Sequence, residues 1–200
     1  ANVGNRTEVF LALKGRVVSA EPVDESYLEL KKKFGDHPKA TLLQVGLGSE
    51  AGKKEMHISN ISEVCTFSEK FIEKYKNQDK FNIEWNETRV SEIITLDQLV
   101  ERFGVPVFCK IDVEGYELEV LKGLSQPMPL ISFEYNAKLK KLALECIGRL
   151  CKFRSLSYNF SPYESMAFTF EVWKNEIEFR EFIRTLPNKV KTGDIYVRSE

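Results

Sequence analysis

The stretch KIDVEGYE, residues 110–117, decides the fold, because it joins the end of an apolar strand to the start of a helix. It follows the apolar run VPVF and brings Lys110, Asp112, Glu114 and Glu117 close together in the chain. Alternate side chains of a strand share a face, so Lys110 and Asp112 are predicted to point the same way. Gly115 allows the chain to bend into the next helix. The pattern predicts a strand, a turn and a helix, with carboxylates where the strand ends.

These carboxylates have two interpretations. A charge at the end of a buried strand needs a partner or a task, which makes Asp112 the first candidate for a catalytic carboxylate and Glu134, after LISF, the second. Carboxylates near a helix start also stabilise the helix by about 0.3–1 kcal/mol each. That second interpretation is preferred for Glu117 and remains an alternative for Glu114. Asp112 and Glu114 offer oxygen ligands that magnesium accepts, but we expect no bound metal.

The composition excludes several classes of protein. The chain has 200 residues, a formal net charge of −1 and a pI of about 6.3, which argues against a general nucleic-acid binder. Four cysteines without a C-x-x-C pair and two histidines disfavour a structural zinc site and suit a reducing, cytoplasmic compartment. No apolar run reaches the length of a membrane span. We expect one domain over residues 1–200, and the sequence does not specify its oligomeric state.

Strand and helix patterns alternate along the chain. Segments with strand character are 16–22, 40–48, 52–59, 105–112 and 129–136, with two or three more among 153–160, 166–173 and 193–198. Segments with helix character are 5–13, 24–35 with Asp24 as its cap, 96–103, 115–124, 137–152 and 176–186. Residues 60–88 are the least regular part, with a possible short helix at 67–78, and are interpreted as a lid or insertion. The alternation predicts an α/β fold with a mainly parallel, doubly wound sheet and an antiparallel C-terminal part.

In such a sheet, ligands bind beyond the carboxyl ends of the strands. Glu21 lies at the tip of the second predicted strand, downstream of the loop ANVGN, where it could accept ribose hydroxyls or be a solvated carboxylate before Pro22. The loop lacks the G-x-G-x-x-G spacing of a dinucleotide site. Lys110 and Glu114 are candidates for substrate contact. His57 is a further candidate on a hairpin arm, although an exposed lone histidine is also a common bystander.

The segments ANVGN, RVVSAEP, TLDQL, KIDVEGYELEVLKG and ISFE occur in an order and spacing that resembles FkbM-type methyltransferases, from residue 1 to about Glu134. The resemblance implies a Rossmann-like, S-adenosylmethionine-dependent O-methyltransferase that acts on hydroxyls of sugars or other small molecules. It places Asn2 and Gly4 under the methionine part of the cofactor, Glu21 at the ribose, and Gly46 and Leu47 beside the adenine. The same resemblance puts Asp112 near the transferred methyl group, with Glu114 and Glu134 lining that pocket. The family's first strand and its acid-x-Gly step would precede Ala1.

Two other functions remain possible at this point. An NAD-type oxidoreductase would share the alternation and Glu21, but it would require a three-glycine fingerprint. A non-catalytic module that binds a partner would suit the charge-rich insertion at 60–88. The sequence does not specify the methyl acceptor.

Overall fold

The α/β class predicted from the sequence is confirmed in the structure, a computed structural model that describes residues 1–76, 82–153 and 155–199. The chain divides into two compact units, Ala1–Ile94 and Thr95–Glu200. The single domain expected over residues 1–200 stays a prediction. Each unit combines helices with sheet, and parallel and antiparallel strand pairs both occur.

The first unit alternates helices and short strands. Its elements are α1 (Asn5–Ala12), β1 (Val17–Ala20), α2 (Asp24–Phe34), β2 (Ala40–Leu43), β3 (Gly46–Leu47), β4 (Gly52–Ile58), α3 (Glu69–Tyr75) and β5 (Glu87–Ile94). Strands β1 and β2 pair in parallel, and a second sheet has the order β3-β5-β4. In that sheet β4 runs antiparallel to β5, as the hairpin arm predicted at 52–59 requires.

The second unit begins with a helix, and the bounds predicted for it, 96–103, agree with those in the structure. Its elements are α4 (Leu96–Phe103), β6 (Cys109–Ile111), α5 (Glu117–Lys122), β7 (Leu130–Asn136), α6 (Lys140–Leu150), β8 (Leu156–Pro162), α7 (Glu176–Thr185) and β9 (Thr192–Ser199). Thr95 and Gln98 form a reciprocal capping box, which fixes where α4 starts. The sheet order is β6-β7-β9-β8, with β6 parallel to β7 and β9 antiparallel to both of its neighbours.

The four-stranded sheet of the second unit has one apolar and one polar face. On the apolar face, Tyr158 stacks on Phe179 of α7 with ring centroids 5.3 Å apart, and Tyr135 meets Phe160 edge-on at 5.5 Å. The strand register puts Lys110 beside Ser132, and Glu134 directly opposite Asp194, on the other face. Because side chains alternate along each strand, the charged residues of β6, β7 and β9 therefore share one side of the sheet.

Several local predictions are wrong. Asp24 does not cap α2: the N-cap is Val23, and the Asp24 carboxylate instead accepts a hydrogen bond from the Gln44 amide. The strand predicted at 40–48 is interrupted between β2 and β3, which belong to different sheets. Residues 166–173 form no strand, although Lys174 makes an isolated bridge to Tyr158. In each case a tertiary contact overrides a local pattern.

The possible helix at 67–78 exists over the shorter span of α3. Ser68 caps it by accepting the N–H of Phe71, whose side chain is buried. The end of the predicted helix, and with it part of the insertion at 60–88, falls on residues 77–81, outside the described residues.

Gly46 packs too tightly to accept a side chain. A Cβ atom there would lie 2.7 Å from Ile93 Cδ1 and 2.8 Å from Phe67 Cε2, both of which belong to buried residues. We expect Gly46→Ala to lower the free energy of unfolding by about 1–3 kcal/mol, because the core must shift to admit the methyl group. Chemical denaturation measures this change. Leu28→Ala, at an exposed helix position, is the control and should change stability by less than about 0.5 kcal/mol; equal stability of the two variants would contradict the packing argument.

Candidate active site

Lys110 and Asp112 meet where β6 ends, as the strand periodicity predicts. The Lys110 ammonium lies 3.1 Å from Asp112 Oδ2. Asp112 itself follows the last residue of β6, and 45% of its side chain is exposed. The sequence predicts this charge at the end of a buried strand, where it needs a partner, and Lys110 is that partner. Asp112 is an accessible carboxylate at the strand exit, in contact with a half-buried ammonium.

Asp194 is a member of this site that the sequence analysis missed. Its Oδ1 accepts a hydrogen bond from Lys110 Nζ at 2.8 Å, and only 15% of its side chain is exposed. Burial alone would lower the pKa of Lys110, but Asp112 and Asp194 outweigh it and raise this pKa to about 12. Lys110 is therefore a fixed cation held between two carboxylates. No local pattern marks Asp194, because it reaches the site only through the antiparallel pairing of β9 with β7.

Three acids form a tight cluster at this edge. Asp112, Glu114 and Glu134 each place a carboxylate oxygen within 4.8 Å of the others, close enough to hold a cation between them. Burial raises the pKa of Glu134 well above its usual range, and the nearby carboxylates of Glu114 and Asp112 raise it further. Glu134 therefore keeps its proton near neutral pH. It can donate a hydrogen bond there but is a poor proton acceptor.

Glu117 differs most from its sequence interpretation. It was expected to be a plain charge at a helix start, yet only 2% of the residue is exposed. Its Oε1 accepts the N–H of Gly115 at 3.1 Å and the N–H of Val113 at 3.3 Å. Burial raises the pKa of Glu117 to about 7, against the opposing effect of these hydrogen bonds. The spacing 117, 120, 121, 124 puts it on the buried face of α5, which is the signal that could have identified it.

In the first unit, Glu21 binds the loop that precedes it in the chain. Its Oε2 lies 3.0 Å from the nitrogen of Ala1 and accepts the N–H of Asn2 at 2.6 Å, while Oε1 accepts the N–H of Val23 at 2.9 Å. The residue is 6% exposed, so it is not a solvated carboxylate before a turn. Asn2 has a φ of 48°, which its bond to Glu21 helps to maintain. Glu21 thus joins the end of β1 to the loop at Asn2.

The two glycines proposed for the cofactor are packed by protein atoms. Gly4 has a φ of 90°, and a Cβ there would lie 2.5 Å from the ring of Phe34. Gly46 lies against Phe67, as described above, and Leu47 next to it is half-buried in β3. The small size of both glycines is explained by packing, which leaves only their backbone available for a ligand.

His57 lies in β4, with backbone hydrogen bonds to Thr66 and strand pairing to Thr88. A cavity of about 390 Å³ lies in the same unit, with Val23, Ile58 and Cys65 among its lining residues. Arg89, also in the lining, is bound by Glu25 at 2.8 Å and by Glu87 at 2.6 Å. These carboxylates outweigh its charge, and Glu84 lines the same cavity, so the cavity does not favour an anion.

Comparison with known proteins identifies the family of the chain. The family described as "Methyltransferase FkbM domain" matches residues 1–144, and the chain therefore belongs to this family. A crystal structure of the methyltransferase FkbM from Methylobacillus flagellatus KT has a similar fold, with a TM-score of 0.57 and 14% sequence identity. The match covers 98% of this chain and 41% of that one. No curated protein sequence matches the chain.

Within residues 1–76, 82–153 and 155–199, no helix combines the length and the apolar character that crossing a bilayer requires.

The raised pKa of Glu117 predicts an unusual dependence of stability on pH. Between pH 4.5 and about 7 the carboxyl group ionises in the unfolded chain but stays protonated in the folded one. The contribution is fully present below pH 4.5 and is lost as the pH rises to about 7, by about 3 kcal/mol in total. Glu117→Gln should remove the part of the decline that comes from Glu117, because an amide does not titrate, while the part that comes from Glu134 stays. Denaturation midpoints of both proteins across this range provide the measurement, and parallel pH profiles would contradict the assignment.

Proposed function

We propose that this member of the FkbM methyltransferase family transfers a methyl group from S-adenosylmethionine to a hydroxyl group of a small molecule or sugar. The observation that carries the proposal is the cluster of Asp112, Glu114 and Glu134 at the carboxyl ends of the parallel strands β6 and β7. In a Rossmann-like sheet, which is part of the proposal, this is the edge at which ligands bind. Together with the family match, the cluster favours methyl transfer over an NAD-type reaction.

The net charge of the acidic cluster suits a positively charged sulfonium cofactor. Carboxyl groups outnumber the Lys110 ammonium in the cluster that includes Asp194, so its field favours a cation. When bound, S-adenosylmethionine supplies an activated methyl group. Such a group needs mainly to be aligned with the acceptor oxygen.

Glu21 fits the ribose only in part. A carboxylate offers roughly four lone-pair positions, and the nitrogens of Ala1, Asn2 and Val23 use three of them. One position on Oε1 is left for a hydroxyl. In this proposal Asn2 and Gly4 contact the methionine part through their backbone, and Gly46 and Leu47 border the adenine.

Asp112 is the residue that we assign to the acceptor hydroxyl. Its side chain is exposed, and the ion pair with Lys110 fixes its position. Its carboxylate takes the hydroxyl proton as the oxygen–methyl bond forms and the sulfur–methyl bond breaks. Glu134, which keeps its proton, would orient the acceptor as a hydrogen-bond donor instead of acting as the base.

The remaining candidates have secondary roles in the proposal. Glu114 contributes negative charge beside Asp112. The Lys110 ammonium is already paired with Asp112 and Asp194, so Lys110 acts on the substrate through Asp112. An acceptor without negative charge agrees with the acidic cluster. His57, in the first unit, stays a candidate for substrate contact.

Ligand binding gives the first test. We expect S-adenosylhomocysteine at a hundred times its dissociation constant to stabilise the chain by about 2.7 kcal/mol, because a ligand that binds only the folded state shifts unfolding. Thermal unfolding with S-adenosylhomocysteine, with NAD and without ligand measures the effect. A shift with NAD alone would favour the oxidoreductase, and no shift with either would favour a non-catalytic module.

Mutation of Asp112 gives the second test. Asp112→Asn keeps the shape but removes the proton acceptor, so turnover of a hydroxyl acceptor should fall roughly a hundredfold or more. The affinity for S-adenosylhomocysteine should change little. Glu101→Gln, at an exposed position of α4, is the matched control. Unchanged turnover in Asp112→Asn would remove Asp112 from this role.

A further inference from the structure

The turn that carries Asp112 and Glu114 is held by one buried oxygen atom. Glu117 Oε1 accepts the N–H of Val113 at 3.3 Å and the N–H of Gly115 at 3.1 Å. The first of these N–H groups belongs to the peptide group that follows Asp112, and the second to the peptide group that follows Glu114. Each hydrogen bond therefore fixes the backbone directly after one of the two acids.

This turn has a conformation that needs such support. Glu114 has a φ of 51° and Gly115 a φ of 87°. A left-handed conformation is unfavourable for a residue with a Cβ atom, and it persists where the surroundings determine it. Without the bond to Gly115, the Glu114 backbone would be free to relax and carry its carboxylate away from Asp112.

The Glu117 side chain is itself fixed by packing. It is 2% exposed and lines a small cavity of about 10 Å³ together with Glu134 and with Leu142 and Ala143 of α6. A group buried to this extent has little access to water as an alternative partner. Residues of α6 thus border the cavity beside Glu117, and Oε1 of Glu117 holds the turn by two hydrogen bonds.

We propose that Glu117 is a positioning residue for methyl transfer, which holds the carboxylates of Asp112 and Glu114 in register by accepting two amide hydrogen bonds across their turn. This inference rests on the proposed function for its effect on turnover. The geometry of the turn is independent of the proposed function. The required feature is a side-chain oxygen at position 117 that accepts hydrogen bonds. Glutamine preserves this oxygen, whereas leucine does not.

The kinetic test compares Glu117→Gln with Glu117→Leu. We expect Glu117→Leu to lower kcat by on the order of tenfold to a hundredfold, because small displacements of reacting groups are costly. Its KM for S-adenosylmethionine should change less than about threefold, because the turn positions the reacting groups and does not control binding of the cofactor in the ground state. Glu117→Gln should stay within about threefold of the unmutated chain in both parameters. Glu119→Leu, which removes a partly exposed acid of the same helix that pairs with Lys122 and not with the turn, is the control.

Amide hydrogen exchange tests the turn without any activity. In Glu117→Leu the amides of Val113 and Gly115 should exchange at least about tenfold faster, while those of Val120 and Leu121 in α5 stay protected. In Glu117→Gln all four should keep their rates. Unchanged exchange at Val113 and Gly115 in Glu117→Leu overturns the proposal, as does a kcat loss in Glu117→Gln equal to that in Glu117→Leu.

The two arms separate this inference from the proposed function. If the unmutated chain transfers no methyl group, the proposed function fails and the exchange rates alone decide whether Glu117 holds the turn. If Glu117→Leu does not fold, Glu117→Asp takes its place, because it keeps the acid but withdraws the oxygen by one methylene group. Unmutated exchange rates at Val113 and Gly115 in Glu117→Asp would then overturn the proposal.

Discussion

The arrangement of the second unit depends on the pairing of the buried Lys110 ammonium. An ammonium that is largely removed from water must be paired, and Lys110 meets Asp112 and Asp194 at 3.1 and 2.8 Å. These partners come from the exit of β6 and from β9, with β7 between the two strands. A shift of register by one residue in either strand would move a carboxylate to the apolar face. The ion pairs therefore fix both the strand register and the position of Asp112.

Environment gives chemically similar acids different roles around this cation. Asp112 is exposed and remains available to a ligand, whereas burial among other carboxylates keeps Glu134 protonated. Glu117 is fully enclosed and serves two backbone amides. In the proposed reaction these carboxyl groups would serve as proton acceptor, hydrogen-bond donor and support of the turn. The raised pKa values of Glu134 and Glu117 come from burial and from neighbouring carboxylates.

Glu21 and Glu117 share a structural role, although they belong to different units. Each is a buried acid that follows a strand or opens a helix, and each accepts backbone N–H groups from a nearby loop with an unusual φ. Sequence reasoning interpreted Glu21 as a ligand-binding group and Glu117 as a helix charge. A carboxylate near a glycine-containing turn has a third role, which is to hold the turn itself.

The sequence by itself determined the alternation of helices and strands, the bounds of α4, the common side of Lys110 and Asp112, and the family. These features depend on local periodicity, caps and motifs, which act over a few residues. Only the tertiary structure decided that β2 and β3 enter different sheets, that Asp194 completes the Lys110 site and that Glu117 is enclosed. The physical reason is that strand pairing and burial join residues far apart in the chain. The partner of a charge and its access to water are therefore set by the fold and not by its neighbours in sequence.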